Sequence, residues 1–190
     1  MTTDPYDVAS IPPALGAVVE AERGSLPFAL IHGEGLVACA AWALGDAGIT
    51  PVDHGTSWAA LIESGEPLVL HDALCPMTPA AFLADCVRVS EERSAVVVAV
   101  RPVTDTVKQV EEGYVGATID RDGLVVVTSP IVLPAEVVAA LDGLASYDFA
   151  TLAGELAARF PVVTIEAPPE GRRVGSLDDV RLLEALTRPA

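Results

Sequence analysis

Residues 67–79 read PLVLHDALCPMTP and residues 95–100 read AVVVAV. Both open as short aliphatic runs without polar alternation, the pattern of a strand covered by helices on both faces. LGAVVE at 15–20 and PVVTIE at 161–166 repeat it. The four runs are expected to lie together as a parallel sheet. Between and after them come helical patterns at 35–47, 78–92, 134–144, 147–160 and 176–186. The last opens on Ser176 with Asp179 three positions on, a serine N-cap followed by an acid that complements the positive helix end. Strand and helix alternating in this way predicts an α/β doubly wound, mostly parallel sheet with helices on both faces. Ligands of such sheets bind beyond the carboxyl ends of the strands.

One segment breaks the alternation. Residues 104–128 hold extended runs at 114–119 and 124–128, joined by Asp120-Arg121-Asp122-Gly123, and Asp-Gly is a strong hairpin signal. This stretch reads as an inserted β-arm. Its apolar face finds little to pack on within one subunit, so a homodimer formed through the arm is expected.

The 190 residues fit one domain over 15–190 behind an N-terminal tail at 1–14. A net charge of −16, from 27 acids against 11 bases, repels a polyphosphate backbone, so nucleic acid is not an expected partner. A hydrophobic content of 51% speaks against disorder. Charge-free stretches such as 123–135 fall short of the ~20 apolar residues of a membrane span. The opening MTTDPYD resembles neither a secretory signal nor a transit peptide, and a cytoplasmic location is expected. Cys39, Cys75 and Cys86 match neither a disulfide framework nor a zinc knuckle and read as reduced, buried thiols.

For chemistry, strand-end placement puts His71-Asp72 first. Asp72 either holds Mg²⁺ or a substrate hydroxyl at the ligand edge, or caps the following turn. Cys75 lacks an identifiable third orienting group, so a Cys/His nucleophile is set aside. The segment Arg101-Pro-Val-Thr-Asp-Thr-Val-Lys108 follows the strand at 95–100 and contains the only lysine of the chain. Lys108 beside Thr106 is either a solvated charge or an anion contact. With Arg121 on the arm and Arg172-Arg173 before the final helix, these cations are candidates to cradle a small phosphorylated ligand. No Walker loop, dinucleotide fingerprint, nucleophile elbow or H-E-x-x-H occurs. His32 and His54 lack partners at metal-ligand spacing and read as structural.

Taken in order, LGAVVE, LPFALIHGEG, PLVLHDALCPMTP, VRPVTDTVKQV, TIDRDGLVVVTSP and GRRVGSLDDVRLLEAL resemble the cytidylyltransferases that join CTP to 2-C-methyl-D-erythritol 4-phosphate in isoprenoid precursor synthesis. Three places carry the resemblance: His-Asp-Ala-x-x-Pro at 71–76, Asp-Thr-x-Lys at 105–108 and Asp-Arg at 120–121. It implies a Rossmann-like nucleotidyltransferase that dimerises by its β-arm, uses Mg²⁺, and transfers CMP by in-line attack of the substrate phosphate on the α-phosphorus of CTP. Asp72 matches the acid near metal and nucleotide. Thr106 and Arg121 match arm residues that reach the methylerythritol phosphate of the partner subunit. Arg173 stands where the family has a lysine near the reacting phosphates.

The departures matter as much. The family's first loop is Gly-rich, contains an arginine and leads into Leu-Pro-Lys. Here that loop is shortened, carries Glu20 and Glu22, and ends in Leu26-Pro27-Phe28. Arg23 is the only substitute cation there. Cys75 replaces the arginine of His-Asp-Ala-Ala-Arg-Pro, and the Gly-Gly-x-x-Arg-x-x-Ser-Val loop is collapsed to residues 52–58. A cation about 4 Å from a phosphate charge, at an effective dielectric of about 20, contributes roughly 4 kcal/mol, or about a thousandfold in rate. The expectation is a divergent member with CTP transfer lost or strongly reduced and a residual sugar-phosphate-binding or regulatory role. The alternatives are an active cytidylyltransferase served by Arg23, Arg101, Lys108 or Mg²⁺, and a non-catalytic dimeric interaction domain.

Overall fold

The structure is a computed structural model that describes residues 11–53, 55–104 and 106–188. His54, Asp105 and most of the N-terminal tail lie outside the described residues. In chain order the elements begin with β1 (Leu15–Val19), β2 (Leu30–Ile31), β3 (Glu34–Gly35), α1 (Leu36–Asp46) and β4 (Thr50–Pro51). Next come α2 (Trp58–Ser64), β5 (Leu68–Asp72), α3 (Ala80–Arg93) and β6 (Val96–Pro102). The arm follows with β7 (Val107–Glu111) and β8 (Tyr114–Ile119), then β9 (Val125–Leu133) and α4 (Ala135–Ala139). The chain closes with α5 (Phe149–Ala157), β10 (Val162–Glu166) and α6 (Leu177–Leu186).

Six strands form the central sheet in the order β10-β6-β9-β5-β1-β4. β1 runs parallel to β4 and β5, and β10 parallel to β6. The alternation of strand side chains divides the core into two faces. Leu68, Leu70, Val96, Val98, Ile131 and Leu133 point to one side, against α2, α4 and α5. Val69, Val97 and Val132 point to the other, where Leu44 of α1 and Leu83 and Val87 of α3 cover them. Both faces are therefore apolar, which is why these strands show no polar alternation. Gly16 marks the closest approach of α1 to β1: a Cβ there would stand 2.6 Å from Ile49 Cγ2 and 3.1 Å from Leu44 Cδ2.

The mostly parallel sheet is as expected: β1, β4, β5, β6 and β10 run one way, and β9 runs antiparallel between β5 and β6. The same strand corrects the arm. Residues 124–128 do not pair with 114–119; β8 pairs instead with β7, closing at Glu111↔Tyr114 around Glu112-Gly113. Both turn residues have positive φ, 50° and 85°, as a two-residue hairpin loop with the right twist requires. Arg121 to Leu124 makes a reverse turn, Leu124 N–H donating to the Arg121 carbonyl at 2.9 Å, and hands the chain to β9. Burial decides this pairing: Ile131, Val132 and Leu133 are fully buried in the sheet centre, whereas every residue of β8 is exposed. A helix also replaces part of the collapsed loop: α2 starts at Ser57, whose hydroxyl accepts from Ala60 N. The 134–144 pattern shortens to the five residues of α4. The cap on α6 is as expected, Ser176 accepting from Asp179 N.

Candidate functional site

The parallel register Val19↔Asp72 brings the carboxyl ends of β1 and β5 together. Asp72 is 1% exposed there and its carboxylate is fully engaged. Oδ1 accepts from Leu74 N at 2.9 Å, so the turn-capping role is real, and from Arg23 Nε at 3.1 Å. Oδ2 accepts from Arg173 Nε at 2.9 Å. The backbone N–H of Asp72 donates to Ser129 Oγ at 2.9 Å, which pins the end of β5 to β9.

Arg23 reaches this point from the turn after β1. Its side chain is 5% exposed, with Nη2 donating to the Tyr147 carbonyl at 2.6 Å and Nη1 to the Ala21 carbonyl at 3.3 Å. The guanidinium also lies 6.0 Å from the Phe149 ring centre. Arg173 arrives from the other side. Val174 next to it donates to the Leu74 carbonyl at 2.8 Å and packs in a small core with Ile31, Leu36, Leu74, Val180 and Leu183. That core sets the backbone position of Arg173, whose side chain remains 37% exposed. Two guanidiniums thus converge on one buried carboxylate, an arrangement in which the partners compensate each other's desolvation.

His71 and Cys75 stand behind Asp72, both fully buried. His71 Nδ1 lies 2.5 Å from Ser129 Oγ, and Nε2 has no partner among the described residues. Burial pulls the imidazole down to about 4, against the opposing pull of Asp72, so it is neutral at physiological pH. Burial, followed by the charge of Asp72, holds the Cys75 thiol well above its usual range. A protonated thiol in that setting is no nucleophile, in line with setting Cys75 aside. All three cysteines are free.

The other expected site residues are not brought to this cluster. Lys108 donates to Thr118 Oγ1 and Arg121 to the Thr104 carbonyl, both across the exposed arm, and Thr106 is exposed nearby. Arg101 donates to the Ala167 carbonyl at 2.9 Å, tying β6 to the segment after β10. Among the described residues no hydrogen bond or ion pair joins Lys108, Arg121 or Arg101 to Asp72. Phe28, which follows Leu26-Pro27, is 64% exposed.

Mg²⁺ does not fit Asp72 as this cluster stands. Both carboxylate oxygens already accept from guanidinium groups, and among the described residues no group of three or more His, Cys, Asp or Glu side chains is arranged to hold a metal. Mg²⁺ requires several oxygen ligands, and two adjacent cations repel it. Beside the cluster, around the end of β1, opens a cavity of about 360 Å³ whose lining includes Glu20, Asp53, Trp58 and Tyr147. Ser129 and the Tyr147 carbonyl were missed in the sequence; each becomes a neighbour of the cluster only through tertiary pairing, 57 residues from Asp72 and 124 from Arg23 respectively.

A family model for 2-C-methyl-D-erythritol 4-phosphate cytidylyltransferase matches residues 51–155. A protein of that name from Saccharopolyspora erythraea is 33% identical over 129 residues, covering 66% of this chain and 57% of that protein. Its namesake from Symbiobacterium thermophilum is 36% identical over 139 residues, 68% of this chain and 58% of that protein. The matched stretches therefore span a little over half the length of these curated relatives. The crystal structure of the cytidylyltransferase from Thermus thermophilus shares the fold, with a TM-score of 0.68 at 22% identity over 92% of this chain and 98% of that one. No helix among the described residues is long and apolar enough to cross a membrane. The matched segment contains the end of β5 with Asp72, β6, the arm and β9, and on that match the chain belongs to the 2-C-methyl-D-erythritol 4-phosphate cytidylyltransferase family.

Proposed function

We propose that this chain is a divergent family member in which CTP transfer is lost or strongly reduced, leaving a sugar-phosphate-binding or regulatory role. The observation that carries this is the commitment of both cleft cations, Arg23 and Arg173, to Asp72. Phosphoryl-type transfer depends on positive charge and amides directed at the phosphates. Here one guanidinium is 5% exposed and held by Tyr147 and Asp72, while the position of the expected lysine carries the outward phenyl ring of Phe28. Among the described residues the adjoining cavity is lined by Glu20 and Asp53 and by no Lys or Arg, which opposes a triphosphate further. Incubation with CTP, 2-C-methyl-D-erythritol 4-phosphate and Mg²⁺, followed by diphosphate release, tests this. The expected result is a rate at least about a thousandfold below that of an intact relative; a comparable rate overturns it and supports an active enzyme working with Arg173.

A second reading concerns assembly. Val110, Tyr114 and Val115 of the arm are 63%, 80% and 71% exposed, an apolar surface that a second copy of the chain would cover. Light scattering at micromolar concentration is expected to give twice the chain mass of 19.6 kDa; a monomer mass overturns it.

A further inference from the structure

The guanidinium of Arg23 sits among oxygen acceptors supplied by three separate segments. Nε donates to Asp72 Oδ1 at 3.1 Å from the end of β5, Nη2 to the Tyr147 carbonyl at 2.6 Å from the segment before α5, and Nη1 to the Ala21 carbonyl at 3.3 Å within its own turn. One carboxylate and two backbone carbonyls are hard oxygen donors, the kind that hold a divalent cation directly or through its waters. Asp148, next to Tyr147, adds negative charge nearby: its carboxyl is held below the usual range first by hydrogen bonds from Thr151 and then by the charges of Arg23 and Arg173. The cation in this place is the chain's own, with its side chain 5% exposed.

The turn after β1 is shaped to put it there. Glu22 and Gly24, on either side of Arg23, both have φ of 62°. A glutamate adopts that left-handed backbone only where its surroundings hold it. Arg23 N–H donates back to the Glu20 carbonyl at 3.3 Å, and Phe28 N–H to the Ser25 carbonyl at 3.1 Å, so the chain is fixed on both sides. A divalent cation reaches Asp72 Oδ1 only by expelling the guanidinium from its three acceptors, while Arg173 on Oδ2 repels it. We propose that Arg23 is a resident cation, which fills an oxygen-lined position at the end of β5 and closes it to divalent metal ions from within. The misfit of Mg²⁺ at Asp72 follows from it. The assignment goes beyond the proposed loss of CTP transfer and does not require it.

Paramagnetic Mn²⁺, read as broadening of amide NMR signals, is the probe. In the wild-type chain the amides of Ala21, Ala73, Leu74 and Asp148 are expected to keep their line widths in millimolar Mn²⁺. In Arg23→Ala the same amides are expected to broaden at concentrations at least about tenfold lower. Guanidinium chloride at millimolar concentration, far below denaturing levels, is expected to reverse that broadening and to raise the melting temperature of the variant but not of the wild type. Broadening of these amides in the wild type at the concentrations that act on the variant, or a folded Arg23→Ala that lacks either response, overturns the proposal. Should Arg23→Ala not fold, the Arg23 Nε–H resonance of the wild type decides: it is expected to stay in place as Mg²⁺ is added to millimolar concentration, and its displacement overturns the proposal. Diphosphate release from CTP in a separate sample reads the loss of transfer on its own: turnover with an undisturbed Arg23 resonance overturns that loss and leaves the resident cation standing.

Discussion

The strand-end cluster and the β-arm are opposites in how they treat polar and apolar groups. At Asp72 the carboxylate and the Arg23 guanidinium are withdrawn from water and Arg173 partly so, with Arg23, Arg173, Leu74 and Ser129 each committing a donor or acceptor to one residue. On the arm, Val110, Tyr114 and Val115 stand in solvent, and among the described residues the cations Lys108 and Arg121 bond within the arm itself. A site built for phosphates would show outward cations at the first region. Here the first region is closed on itself and the second is open, and the proposed self-association draws on the second.

The largest effect should come from breaking the cluster. Asp72→Ala leaves two guanidiniums without their carboxylate and is expected to cost about 3–5 kcal/mol in urea unfolding; a loss below about 1 kcal/mol would show that the ion cluster is not the stabilising region. Acid should act next. His71 is held neutral at about 4 in the folded state against about 6.5 in the unfolded chain, so the unfolded state binds the extra proton between those values. The stabilising contribution is therefore complete above about pH 6.5 and falls as pH drops toward 4, by about 3 kcal/mol in all. A pH series of melting curves on wild type and His71→Gln checks this, the variant losing that part of the slope. If both give the same slope, the neutral imidazole is not the source.

Changes on the arm should leave the melting curve of the core in place and move the mass instead. Tyr114→Asp is expected to weaken self-association by about 2 kcal/mol or more, read as dissociation at micromolar concentration in sedimentation. An unchanged mass would mean that the exposed arm residues do not form the contact. The smallest effect belongs to Arg173→Ala: its side chain is 37% exposed, so the loss is expected at about 1 kcal/mol or less in the same urea experiment. A loss as large as that of Asp72→Ala would sharpen the comparison by showing that the half-exposed partner carries the cluster.

The sequence made four sheet strands legible because a strand covered on both faces is mostly apolar, and 15–20, 67–72, 95–100 and 161–166 each consist mostly of apolar residues. It also made Asp72 legible, since a carboxylate that ends such a strand stands at the ligand edge. The arm was legible as an insertion but not in its pairing. Asp122-Gly123 is the stronger local hairpin signal, yet Glu112-Gly113 makes the turn, because Ile131 to Leu133 gain more by burial between β5 and β6 than by extending the arm. Arg23 was legible as the only cation of the shortened loop, but nothing local indicated that it turns inward.

What the sequence settled alone is therefore the class of fold, the excess of negative charge and a phenylalanine in place of any cation after Leu26-Pro27, all properties of composition and of short-range pattern. Tertiary structure alone decided that β9 runs antiparallel through the middle of the sheet, that Ser129 holds the end of β5, and that Arg23 and Arg173 close on Asp72. The contacts of Ser129, Arg23 and Arg173 join residues at least 49 positions apart along the chain. Such contacts form only where packing of the whole sheet removes water from the carboxylate and leaves the guanidiniums as its partners.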